Sequence, residues 1–108
     1  MEYNKLVRDY IPDILEELGL DFEVTQVTDY EVTPYLYKKL DEEVQEFKDS
    51  DSLEEIVDIL EVLLTITSKY GYSIDELLEM LYSKRREKGG FKENFILKSI
   101  KEDYHEKF

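Results

Sequence analysis

Glu43 and Glu46 stand three residues apart in this chain, and so do Glu55 and Asp58. On a helix that spacing puts both members of a pair on one face, with Cβ atoms roughly 5–6 Å apart. Both pairs border apolar stripes: Glu43 flanks Leu40 and Phe47, while Glu55 and Asp58 sit beside Val62. Acids at a core margin must be paired, protonated or bound to a cation, because a lone buried carboxylate is costly. If the two helices lie antiparallel across a short connection, four carboxylates converge, and they cannot all be ionised without a cation between them. All-oxygen ligation suits a hard ion, Mg²⁺ or Mn²⁺, rather than zinc. The competing reading is an acidic helical surface, with Glu55 as the capping partner of Ser52 and Glu46 solvated. Glu76 and Glu79 repeat the spacing with no role assigned, so among 27 acids the pattern alone is cheap. A calcium loop fits poorly: a frame opened at Asp49 puts Glu54 where the glycine belongs and Leu60 where the bidentate Glu belongs.

A second cluster is cationic. Lys84, Arg85, Arg86 and Lys88 place four of the chain's 14 basic residues directly before Gly89-Gly90-Phe91. Such a cluster complements the dipole of a helix C-terminus ahead of a glycine stop. It also suits phosphate, held by charge-assisted bonds and backbone N–H groups. Acids for a metal and bases for phosphate together imply a metal–phosphate ligand. Lys5 and Arg8 add two candidate phosphate contacts, or equally pair at the surface with Asp9.

Helices must position these groups. Pro12 and Gly19 bracket a short one, with proline at the start and glycine at the stop. Phe22 to Thr28 is rich in β-formers and reads as a short strand or an extended connector. Thr33-Pro34 reads as N-cap and first turn of a helix to about Lys48, with Leu36, Leu40, Val44 and Phe47 as its stripe. Asp49 to Ser52 breaks it. A second long helix spans Leu53 to Tyr70 and stops at Gly71. Ser73 and Glu76 form a capping box that opens a third, ending at Gly89-Gly90. The tail from Phe91 reads as extended to Leu97 and helical beyond. The fold class is therefore all-α: a bundle of three long helices and a short N-terminal one, with a small extended or β-like patch. Leu53, Ile56, Val57, Leu60, Leu63, Leu64 and Thr67 share one face of the second long helix, whereas Ile59, Val62 and Ile66 lie on the other. Two apolar stripes place that helix mid-bundle and call for more cover than one subunit supplies.

Bulk properties set the outer limits. With 108 residues the chain reads as one domain. Hydrophobic residues make up 42% and aromatics 13%, which argues against disorder. There is no cysteine for disulfides or thiolate metal sites. No membrane-length apolar run and no signal-peptide core is present, so the expected location is cytoplasmic. A net charge of −13 disfavours nucleic acid as partner and would repel a free nucleotide unless metal ions and local cations offset it.

Asn4-Lys5-Leu6-Val7-Arg8-Asp9 followed by Ile11-Pro12 resembles the KLVRD.IP opening of a subgroup of the MazG-like, all-α NTP pyrophosphohydrolase superfamily. The likeness continues through Lys39 to Phe47 and Glu54 to Val62, and closes with Lys84 to Phe91, covering most of the chain. The superfamily's E-E-x-x-E and E-x-x-D pattern falls on Glu42, Glu43, Glu46, Glu55 and Asp58. By that resemblance Glu43, Glu46, Glu55 and Asp58 would be Mg²⁺ ligands, with Mn²⁺ an alternative ion. Only eight residues separate Glu46 from Glu55, fewer than in MazG proper.

The resemblance implies hydrolysis of a nucleoside triphosphate between the α- and β-phosphates, giving monophosphate and pyrophosphate, in a house-cleaning role against modified nucleotides. Metal ions would neutralise the triphosphate and lower the pKa of the attacking water. Lys84, Arg85, Arg86 and Lys88 would bind phosphate, with Lys5 and Arg8 as further contacts. Glu42 and Glu61 are the candidate water-activating bases. Tyr35, Tyr37 and Tyr82 are more ordinarily packing residues than base-stacking ones. Superfamily members are commonly dimers or higher, so a homodimer with its site near the interface is expected. Two alternatives share the bundle: phosphoribosyl-ATP pyrophosphohydrolase-like activity, and a non-catalytic acidic helical protein that binds a partner through its apolar faces.

Overall fold

Local signals account for where each helix starts and stops. The computed structural model describes residues 1–103 and 105, and contains α1 (Ile11–Glu17), α2 (Thr33–Ser50), α3 (Leu53–Lys69) and α4 (Ile74–Lys88). No strand occurs among the described residues, so the fold is all-α. Glycine ends α1 and α3 in the same way. Gly19 (φ 72°) donates to the Glu16 carbonyl while Leu20 reaches Leu15; Gly71 (φ 85°) donates to Ser68 while Tyr72 reaches Thr67. These paired bonds satisfy carbonyls that the last turn leaves open, and the left-handed residue that makes them is cheapest as glycine. α4 opens on the expected capping box, with Ser73 N–H donating to Glu76 at 3.0 Å and Glu76 N–H to the Ser73 hydroxyl at 3.1 Å.

Several boundaries differ from the sequence reading, among them the end of α2, which runs on through Asp49 and Ser50 before the left-handed Asp51. Thr33 lies inside α2 rather than capping it, and Val32 takes the cap position. The capping chemistry falls one turn earlier: Glu31 N–H donates to the Thr28 hydroxyl at 3.1 Å, and that hydroxyl meets the Glu31 carboxylate at 2.8 Å. Of the two readings for Phe22 to Thr28 the connector holds, since no strand forms among the described residues. The tail forms no helix through residue 103. Phe91, Phe95 and Ile96 are almost fully exposed, and a short helix with no surface to dock on is marginal in water. The helical expectation for residues 104 and 106–108 lies outside the described residues.

α2 and α3 form an antiparallel hairpin and make the main packing contact of the fold, with α4 touching α3 less extensively. Leu36 on α2 and Val62 on α3 are its buried apolar residues, flanked by half-buried Leu40, Val44, Phe47, Ile59 and Ile66. The stripe of α3 that faces α2 is therefore the narrower one, the same that carries Glu55 and Asp58. Its broader stripe is open to solvent, with Leu53 75% and Val57 58% exposed, and with Ile56, Leu60 and Leu63 also uncovered. α3 lies between two helices as expected, but half of its apolar surface has no cover. The accessible surface is 10484 Å², against roughly 6,300 Å² for a compact chain of this mass. The radius of gyration is 18.8 Å where about 13 Å is usual. No helix among the described residues is long and apolar enough to cross a membrane.

Candidate metal centre

The hairpin brings three carboxylates together near its turn. Glu43 from α2 and Glu55 and Asp58 from α3 each offer an oxygen within 4.8 Å of the others. Glu43 is the deepest charged residue among those described, only 6% exposed. One oxygen each of Glu43 and Glu55 is sealed from water and lacks a hydrogen-bond partner. Two such orphans in one place are costly unless a proton or a cation occupies the space between them.

Glu46 does not join this group. It lies exposed one turn further along α2 and acts on Glu55 only through its charge. The two-residue link Asp51–Ser52 closes the hairpin tightly, with Asp51 left-handed at φ 53° and its N–H bonded to the Phe47 carbonyl at 2.8 Å. In that register Glu43 faces the α3 acids. Glu55 is also not a capping partner: the Ser52 hydroxyl accepts from Glu54 N–H at 3.3 Å, while the Glu55 side chain turns into the cluster.

Burial raises the Glu55 carboxyl first, reinforced by its bond to Glu43 and by the charges of Glu46, Glu43 and Asp58, to a pKa of about 7. At neutral pH it is thus poised between holding a proton and releasing it. Such a proton, shared between two carboxyls, stands where a cation would balance the same charge. Three hard oxygen donors, with an unpartnered buried oxygen on each of Glu43 and Glu55, could hold a hard divalent ion such as Mg²⁺ or Mn²⁺.

Three cations border the acids. Lys39 lies 3.4 Å from Glu43 and 3.6 Å from Glu42. Lys5 reaches Glu42 at 2.8 Å, and Arg8 reaches Asp58 at 2.6 Å. The two contacts of Lys39 join residues three and four apart on one helix, whereas those of Lys5 and Arg8 span 37 and 50 residues. Arg8 pairs with Asp58 rather than with Asp9. The Lys5 bond holds the Glu42 carboxyl below its usual range, aided by Lys39, and in turn raises Lys5. A carboxylate so paired stays ionised but is a weak proton acceptor. Glu61 is exposed on α3, outside the cluster.

The α4 cations are displayed separately. Lys84, Arg85, Arg86 and Lys88 are exposed, and Arg85 lies 5.7 Å from the Tyr82 ring centre. No ion pair among the described residues links Lys84, Arg85 or Arg86 to the carboxylates. An open cleft along α4 is lined by Tyr72, Glu79, Met80, Tyr82 and Arg86. A second lies at the far end of the hairpin, where the Tyr37 and Tyr70 hydroxyls bond one another, and neither cleft includes the acids. Compared with known proteins, the chain matches no family model, no curated protein and no solved structure.

Proposed function

We propose that this chain is a Mg²⁺-dependent nucleotide pyrophosphohydrolase that cleaves the α–β phosphate bond to give a monophosphate and pyrophosphate. The observation that carries this reading is the convergence of Glu43, Glu55 and Asp58, with two sealed carboxylate oxygens left without partners. A resemblance of the acidic motifs and the N-terminal segment to MazG-like enzymes supplies the reaction class. Glu43, Glu55 and Asp58 would hold the metal, with Glu46 close enough to contribute charge or an outer contact. Bound there, Mg²⁺ would neutralise phosphate charge and acidify the attacking water.

The protein's own part is to position and balance charge. Lys39 pairs with Glu43 from within the fold. Arg85, Arg86 and Lys84 offer donors to the phosphates, with Lys88 beside them. Glu42 and Glu61 remain the candidate bases. The Lys5 bond weakens the case for Glu42 as long as that bond is kept. The proposed active form is a homodimer joined through the outer face of α3. The uncovered stripe of Leu53, Ile56, Val57, Leu60 and Leu63 is the apolar surface that such an interface would bury. An apolar stripe meets its own copy across a two-fold axis without mismatch.

The deciding experiment incubates the protein and Mg²⁺ with standard and modified nucleoside triphosphates and with phosphoribosyl-ATP, resolving products by chromatography. Monophosphate with pyrophosphate from a triphosphate supports the proposal. Turnover of phosphoribosyl-ATP alone moves the substrate to that class. No turnover of any member leaves the interaction-protein reading, which the open α3 face favours.

A further inference from the structure

Two cations of the N-terminal segment cross to the acidic hairpin from far away in sequence. Arg8 Nη2 stands 2.6 Å from Asp58 Oδ1, and Lys5 Nζ stands 2.8 Å from Glu42 Oε1. Between them Leu6 and Val7 are half-buried, so apolar packing holds the segment in place while its charges meet the acids. Building on the metal reading above, we propose that residues 5–8 are a cationic strap: Arg8 neutralises Asp58 until a divalent cation enters the cluster, and is then released.

The energetics favour exchange. Both strap cations sit largely in water, with side chains 56% and 42% exposed for Arg8 and Lys5, and such pairs contribute little stability. A divalent ion carries twice the charge and bonds several oxygens at once. Lys39, on α2 itself and only 17% exposed, stays with Glu43. Release leaves Lys5 and Arg8 at the rim of the site without their carboxylates, where a phosphate-bearing ligand of the metal would meet them. Cation and anion binding are thereby coupled: each favours the state in which the strap has left the acids.

The test uses the whole chain and Mn²⁺, whose free fraction is read by electron paramagnetic resonance. Arg8→Gln should bind Mn²⁺ about 2- to 5-fold more tightly, because a competing surface pair has been removed. Lys98→Gln, which takes the same charge from the tail, should bind as wild type. In the unaltered protein, tryptic cleavage after Lys5 and Arg8 should accelerate on Mn²⁺ saturation, because the protease must take the side chains that the acids hold, an arm that needs no variant. Equal or weaker Mn²⁺ binding by Arg8→Gln, or cleavage after Lys5 and Arg8 that ignores Mn²⁺, overturns the strap while leaving the metal site standing. Absence of Mn²⁺ binding in both proteins overturns the strap and the metal reading together.

Discussion

Glu55 on α3 and Glu43 on α2 meet across the helix interface with one oxygen of each buried and unpartnered. The carboxyl of Glu55 is thereby raised from the ordinary 4.5 to about 7. Above pH 4.5 the folded chain keeps a proton that the unfolded chain has released. Its stabilising effect is thus complete below that pH and is lost as pH rises through about 7. Metal-free protein should melt at progressively lower temperature across this window, and saturating Mg²⁺ should remove the decline. A flat profile without metal would contradict the pairing.

Glu55→Gln takes away the charge and keeps the shape. It should flatten the same pH profile and blunt the rise in melting temperature that Mg²⁺ produces by mass action. Glu79→Gln, on an exposed face of α4, should leave that rise intact. Differential scanning calorimetry with and without Mg²⁺ makes the comparison, and equal responses would return Glu55 to the ordinary surface acids.

Asp58→Ala removes a proposed ligand and should lower kcat on the order of 10²-fold or more, since the lost charge stabilisation acts on the transition state. Arg86→Ala should act differently, raising KM by about tenfold with a smaller change in kcat if its phosphate contact is equal in both states. Undiminished turnover in Asp58→Ala, or orthophosphate as primary product, would end the assignment.

Leu60 lies in the uncovered stripe of α3. Light scattering on the unaltered chain should give at least twice the 13.0 kDa chain mass across a dilution series. Leu60→Glu should shift it toward one chain by burying a charge in the interface. A mass of 13.0 kDa for the unaltered protein refutes the dimer.

Leu36 is 3% exposed and anchors the hairpin core. Leu36→Ala should cost about 2–5 kcal/mol, measured by urea unfolding. In a core this small, that loss should also weaken Mg²⁺ binding, because the carboxylates depend on the same contact between α2 and α3.

Features decided within a few residues could be read from the sequence: the stops at Gly19 and Gly71, the Ser73–Glu76 box, and the facing of Glu43 toward Glu55 and Asp58. Those decided by distant partners could not. Arg8 finds Asp58 at a separation of 50 residues, and nothing local distinguishes that pairing from one with Asp9. Hydropathy marks two stripes on α3 and gives the broader one more weight, yet α2 packs against the narrower. Periodicity counts apolar residues on a face and does not say which neighbour, or which copy of the chain, will cover it. Glu46 shares a face with Glu43 by spacing, but the angle and closeness of the hairpin decide which of the two reaches the centre.

The link Asp51–Ser52 is short, and both acidic helices are wound outward from it. A helix turns by about 100° and advances about 1.5 Å for every residue added. One residue inserted after Asp51 would therefore swing Glu55 and Asp58 a quarter-circle or more away from Glu43, unless the turn absorbed it. A deletion would do the same in the opposite sense. Composition of the turn can drift, provided some residue there accepts the left-handed conformation, but its length acts as a phase setting for the whole centre. Chains that keep this eight-residue spacing between Glu46 and Glu55 should tolerate changes in the identity of these two residues better than changes in their number, provided a cap and a left-handed residue are retained.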